Sequence, residues 1–274
     1  MSNVKLTASG PIRAPELASW ALAHGHTTLT THEIANLLHI PDDQVRRRLH
    51  APAQRAEWIT PTRGLWIPVP PEYRTWGAPP GIDIIDAMMQ HRNITYYVGW
   101  LSAAALYGAA HQAPQVFQVA VDRHVRNRTI GRTRFEFAQR AVASIPTIGH
   151  PTRSGVARVS TVAATMLDLA DDLLLAASLD NAATVIAELS EHESFNLDEL
   201  AQLAPRFPAA AGRRVGHLLE HYSWVDVPLD LEPLRSAVRD AVSTPSRLAP
   251  WAGDSGALDE GWMIRMNAEV EEES

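Results

Sequence analysis

The stretch THEIANLLHIPDDQVRRRLHAPAQRAEWITPTRGLWI, residues 31–67, decides how the first part of this chain folds. Thr30 or Thr31 can cap a helix, and Glu33 stands in its first turn, where a carboxylate favours the positive helix end. Ile34, Leu37 and Leu38 recur at i, i+3 and i+4, an apolar stripe along one face. Ile40–Pro41 reads as a short turn. DDQVRRRLHAPAQRAEW (42–58) reads as a second helix, with Val45 and Leu49 as its core face and Asp42 and Asp43 at its N-terminal end. WITPTRGLWIP (58–68) reads as two short strands around a Thr-Arg-Gly turn. Two short helices, a tight turn and a small hairpin predict a winged helix-turn-helix. A typical motif of this kind has Gly at the turn, where this chain has His39, and its last apolar position falls one residue late, at Leu49.

The second helix must leave one face free for a DNA groove. With Val45 placed at zero and a step of about 100° per residue, Leu49 falls at about 40° and Arg47 at about 200°, directly away from the core. Asp43, Gln44 and His50 also point outward, and Arg46 and Arg48 flank that face. Arg can read a guanine edge bidentately and Gln an adenine edge. The flanking arginines suit phosphates. Arg63, at the wing tip, suits a phosphate or the minor groove. Thr31, at the start of the first helix, joins this set of expected DNA contacts. The bland alternative is a helical hairpin with three solvated arginines.

Net charge at first sight opposes a polyanion partner, since the 274 residues carry −7. The charge is uneven, however. Residues 1–80 hold eight Lys/Arg and six Asp/Glu, residues 81–168 nine and five, and residues 169–274 seven and twenty. Residues 1–168 are thus net +6, and the remainder is −13. Such asymmetry is a hint of a nucleic-acid-binding part joined to an acidic part, against the alternative of an acidic surface kept for solubility. With no cysteine, a disulfide scaffold, a Cys-ligated zinc and a thiol nucleophile are excluded. The start lacks the apolar core of a signal peptide, and the longest apolar stretch, 96–110, is too short to span a bilayer. A cytoplasmic protein without a membrane partner is expected.

Outward from the motif, PELASWALAH (15–24) reads as a helix. The Pro- and Gly-rich stretch 69–81 reads as a linker. Segments 82–91 and 99–109 read as helices, and 116–122, 133–140 and 156–161 as strands. VSTVAATMLDLADDLLLAA reads as a helix capped by Ser160 or Thr161, and helical patterns continue to about residue 241. GWMIRMNAEVEEES (261–274) reads as a last strand and a frayed acidic tail. Trp100, Leu101, Tyr107, Val119 and Leu167 are expected in the core. The expected architecture is α+β and helix-rich: a winged helix-turn-helix domain over 1–75, then a mixed α/β domain over 82–274 with an acidic helical C-terminal part.

The order of that first domain, then YVGWLSAAALYGAAHQAPQVFQVAVDR, RVSTVAATMLDLAD and GWMIRMNAEVE, resembles the AbiEi-type antitoxins over nearly the whole chain. The resemblance implies an N-terminal DNA-binding domain and a C-terminal antitoxin domain. It implies repression of the chain's own promoter through inverted repeats in double-stranded DNA. It also implies action against a nucleotidyltransferase-type toxin, without need of a stable complex. Carried over by position, Gln44, Arg46, Arg47 and Arg48 are the readers and Arg63 the wing contact.

The segment DRHVRNRTIGRTRFEFAQR (122–140) holds six Arg and two acids. On a strand, Arg132 and Arg134 share one face and Phe135 and Phe137 the other. This basic ridge is expected either to extend the DNA surface or to be a solvated strand face. Enzyme readings are weaker. His217 and His221 stand at i, i+4 on a predicted helix, but HLLEH lacks the HExxH order and a third clustered ligand is not evident. His24 and His26 alternate in a predicted loop. Asp122 and Glu136 resemble the acidic pair of a metal-dependent nuclease, but Ala138 stands where a Lys is usual. Neither a glycine-rich phosphate loop nor a GxSxG elbow occurs. No catalytic residue, metal or cofactor is expected. The main alternative is a winged-helix transcription factor whose second domain senses a ligand or dimerises. The nuclease comes last.

Overall fold

Thr30 opens the helix-turn-helix with a reciprocal cap. Its hydroxyl accepts from the Glu33 N–H, and the Glu33 carboxylate accepts from the Thr30 N–H at 2.6 Å. The computed structural model describes residues 12–109, 116–222, 229–239 and 244–270. Helix α1 (Leu17–Ala23) and the two-residue strand β1 (Leu29–Thr30) precede α2 (Thr31–Leu38). The turn after α2 is made by His39 in the left-handed conformation, φ 52° and ψ 47°. Helix α3 (Asp42–Arg48) follows.

The single helix expected over 42–58 is in fact two. After α3 the backbone leaves helical geometry at Leu49, and α4 (His50–Gln54) begins a new turn. Pro52 explains the break. It has no N–H to give to the Arg48 carbonyl four residues back, whereas the first turn of a new helix tolerates it. Strands β2 (Trp58–Thr62) and β3 (Leu65–Pro68) form the wing hairpin, and β1 adds to β3 on its other side. Leu17, Ala21, Leu29, Ile34, Ala35, Val45, Leu49, Trp58 and Trp66 close over one core. Trp20 stacks on His24 and His26, with ring centroids 4.5 and 5.3 Å apart.

The Pro-rich stretch forms a 3₁₀ turn, Pro71–Trp76, before α5 (Gly81–His91). Strand β4 (Tyr96–Val98), helix α6 (Trp100–Leu106), then β5 (Val116–Val121), β6 (Arg128–Ile130), β7 (Thr133–Gln139), β8 (Thr147–Thr152) and β9 (Gly155–Ser160) follow. These strands form one sheet in the order β6-β7-β5-β4-β9-β8. Strand β4 runs antiparallel to β5 and parallel to β9, with Val98 opposite Val159. The expectation of Arg132 and Arg134 sharing a strand face fails. Gly131, at φ 58°, turns the chain, so Arg132 lies in the β6–β7 turn and only Arg134 is on β7.

Helix α7 (Val162–Asp171) is capped by the Thr161 hydroxyl, which accepts from the Ala164 N–H, and its residues Val162–Ala170 are all buried. It ends earlier than expected because the Asp172 carboxylate accepts the Leu175 N–H, a local bond that competes with the helix. Around it pack α6, α8 (Leu179–Ser190), α9 (Leu197–Leu203) and α10 (Ala209–Tyr222). Helix α11 (Glu232–Arg239) lies against α9 and α10. The expected last strand is short. Strand β12 (Ile264–Arg265) pairs parallel with β10 (Ser246–Arg247) and antiparallel with β11 (Leu258–Asp259). The tail beyond residue 270 lies outside the described residues. Trp100, Val119 and Leu167 are buried, and Leu101 and Tyr107 pack partly buried against the same core.

The chain forms two compact units. One comprises Met1–Thr95, Val125–Glu136 and Gly149–Ala157, and the other Tyr96–His124, Phe137–Ile148 and Arg158–Ser274. The fold is mixed α+β, with an N-terminal arrangement of helices and hairpin consistent with a winged helix-turn-helix.

Candidate nucleic-acid interface

Helix α3 owes its two faces to sequence spacing. Val45 of α3 and Leu49 just after it are fully buried in the core shared with α2. Arg46, Arg47, Arg48, Asp43 and His50 are exposed, and Gln44 is half-buried. His50 begins α4, not α3. The acids Asp42 and Asp43 occupy the first turn of α3 and the three arginines its last turn, each at the end of the helix dipole that suits it. Ala35, in α2, is 2% exposed and small where the helices pack.

The wing is tied to α2 by two bonds. The Thr31 N–H donates to the Gly64 carbonyl at 2.9 Å, and the Trp66 indole N–H donates to the Thr31 hydroxyl at 3.0 Å. Thr31 therefore has a structural task, a half-buried hydroxyl that orients the wing. Gly64 turns the wing at φ 87°, and His91 of α5 meets the Arg63 carbonyl through Nε2 at 3.0 Å. The Arg63 side chain is left exposed. Thr31, Asp43, Arg46 and Arg63 line one open groove of about 700 Å³ between α3 and the wing turn, together with Asp42, Thr60 and Trp66. Thr60 and Trp66 carry no signal in the sequence that would have assigned them there. Gln44, Arg47, Arg48 and His50 do not line this groove, and Arg47 is exposed on α3.

Residues Val125–Glu136, which include β6, the turn and the first part of β7, belong to the same unit as the wing. Arg128 on β6 donates from Nη1 to the Pro61 carbonyl at 2.9 Å. Burial and the nearby Arg92 charge push its guanidinium pKa down, the mark of a structural arginine. Arg132 and Arg134 are exposed, and Phe135 is fully buried on the other side of β7. Asp122 is ion-paired with Arg123 at 3.3 Å.

In the second unit the buried polar group of greatest consequence is Asp168 on α7. It is 0% exposed and accepts the Tyr97 hydroxyl at 3.0 Å through Oδ1, while Oδ2 has no hydrogen-bond partner. Burial, only partly offset by the Tyr97 bond and by Arg140, raises its pKa to about 8. Arg140 is held by Asp171 and lies over the Trp100 ring, 5.4 Å from its centroid. Trp100 has a left-handed backbone, φ 48°. The buried Tyr97–Asp168 bond joins β4 to α7. Among the described residues no helix is long and apolar enough to cross a membrane.

Comparison with known proteins gives one structural likeness over most of the chain and one family match over its middle part. No curated protein matches the chain significantly. Among solved structures it is similar to the crystal structure of the RV2827C protein from Mycobacterium tuberculosis, at 13% identity and a TM-score of 0.64, with 94% of each chain covered. At that identity the likeness speaks for the fold alone. The model of the AbiEi antitoxin C-terminal domain matches residues 97–221, which include the Tyr97–Asp168 pair. Over residues 97–221 the chain is thus similar to the AbiEi antitoxin C-terminal domain, the family that the sequence resembles.

Proposed function

We propose that this protein is a DNA-binding autorepressor that also acts as an antitoxin against a nucleotidyltransferase-type toxin. DNA recognition is assigned to residues 1–75 and antitoxin action to residues 82–274, in the cytoplasm and without enzymatic chemistry. The antitoxin half of the reading rests on the family match over 97–221. The DNA half rests on one observation: α3 is backed by buried Val45 and Leu49 and presents Arg46, Arg47 and Arg48 to solvent, with Arg63 of the wing across a shared groove. An exposed arginine face on a rigidly held helix is what major-groove reading needs, and an adjacent wing arginine adds a backbone or minor-groove contact.

Two measurements test the two halves separately. Binding of the purified protein to its own upstream DNA, against unrelated DNA at several salt concentrations, tests the repressor. A specific site bound more tightly than unrelated sequence is expected, and equal affinity for both would remove autorepression. Co-expression with the neighbouring gene tests the antitoxin. Rescue of growth is expected if that gene encodes a nucleotidyltransferase-type toxin, and failure of rescue would remove the antitoxin role while leaving DNA binding intact.

A further inference from the structure

His217 and His221 stand one turn apart on α10, and folding brings Asp259 of β11 to them. Asp259 Oδ2 lies 2.6 Å from His217 Nδ1 and 3.4 Å from His221 Nε2, and the ligand atoms of all three residues lie within 4.8 Å of one another. The third ligand that the sequence did not reveal is thus 38 or more residues further along the chain, on a separate strand. We propose that His217, His221 and Asp259 bind a divalent transition-metal ion of the Zn²⁺ class.

The donor set suits such an ion. Two imidazoles and one carboxylate form a borderline nitrogen and oxygen set, where hard ions such as Mg²⁺ prefer oxygen alone. Ligands about 2.0–2.2 Å from one tetrahedral ion stand roughly 3.3–3.5 Å apart. The His221–Asp259 separation already has that value, and the His217–Asp259 pair need open by less than about 1 Å.

The carboxylate is also held in place. Its other oxygen, Oδ1, accepts the Trp262 N–H at 3.2 Å, so Oδ2 is left facing the imidazoles. Trp262 in turn lies against α10 at Gly216, where a Cβ would meet its ring at 2.1 Å. The side chain of His217 is 1% exposed and that of His221 47%, so the cluster is rooted in the core and open on one side. Three protein ligands with an open side leave a position for water. The Nε2 atom of His217 has no hydrogen-bond partner, so the outer bond that usually steadies a ligating imidazole is missing and a modest affinity is expected. An ion here would staple β11, and with it the small C-terminal sheet, to α10.

The experiment uses the full chain freed of metal with a chelator and titrated with Zn²⁺ by calorimetry. Co²⁺ serves as a spectroscopic probe. One ion per chain, visible Co²⁺ bands of a four-coordinate site and a higher melting temperature with Zn²⁺ are expected. His221→Ala and Asp259→Asn should each weaken binding at least about tenfold, whereas His124→Ala, at an exposed histidine outside the cluster, should leave it unchanged. If Asp259→Asn unfolds the chain, His221→Ala decides alone, since its ring is largely outside the core. No binding to the wild type, or equal binding to wild type and His221→Ala, would leave only a histidine–carboxylate ion pair and overturn the proposal.

Discussion

Arg128 reaches from β6 to the wing and donates to the carbonyl of Pro61 at 2.9 Å, across 67 positions of sequence. The same hairpin is seated at its turn, where a Cβ on Gly131 would come within 2.7 Å of the Trp76 carbonyl and the Ala78 side chain. The exposed Arg132 and Arg134 therefore stand on a support fixed to the wing. If this hairpin extends the DNA surface, the double variant Arg132→Ala/Arg134→Ala lowers the slope of log affinity against log salt by up to about 2, with circular dichroism unchanged. An unchanged slope in operator-binding titrations would assign both arginines to a solvated face.

Arg47 is exposed on α3, two residues from the buried Val45 and about 200° round the helix from it. Arg47→Ala is expected to weaken specific operator binding by about 1–3 kcal/mol and to relax preference at one base position. Because the residue is exposed, urea unfolding should change by less than about 0.5 kcal/mol. Fluorescence anisotropy with wild-type and single-base-changed operators measures both, and an unaltered affinity would mean that α3 is not the reading helix.

His39 ends α2 at φ 52° and ψ 47°, a conformation that glycine adopts without a Cβ clash. His39→Gly should raise stability by about 0.5–1 kcal/mol, as the relief of backbone strain exceeds the extra freedom of glycine in the unfolded chain. The urea midpoint reports it. A lower midpoint would show that the imidazole itself contributes to the turn.

Asp168 gives the protein a pH dependence of unusual sign for a carboxylate. In the unfolded chain its carboxyl ionises near the ordinary value of 3.8, and in the folded chain only near about 8. Between those values the folded state holds a proton that the unfolded state has released, so stability falls as pH rises through this window. It is level below the lower value and again above the upper one. Asp168→Asn keeps an acceptor for Tyr97 and removes the slope. Its stability relative to wild type should therefore rise on the order of a few kcal/mol between pH 5 and pH 8. Chemical denaturation of both proteins across that range checks it, and parallel pH profiles would mean that Asp168 is ionised in the folded state.

Much of the N-terminal architecture follows from the sequence by itself. The Thr30/Glu33 cap, the stripe Ile34-Leu37, the buried pair Val45 and Leu49 and the Thr-Arg-Gly wing turn are local patterns, and local hydrogen bonds and helical periodicity suffice to form them. The family resemblance was likewise legible in the segments around Tyr97 and Asp168. Break points were harder. Pro52 divides 42–58 into two helices and Gly131 lifts Arg132 off the strand, and both are residue types that break regular structure. What only the tertiary structure decided are the meetings of residues far apart in the chain: Arg63 with Arg46 across a groove, Arg128 with Pro61, Tyr97 with Asp168, and Asp259 with His217 and His221. Periodicity assigns a residue to a face of its own helix or strand. It carries no information on which distant element will cover that face, because that choice is made by packing of the whole core.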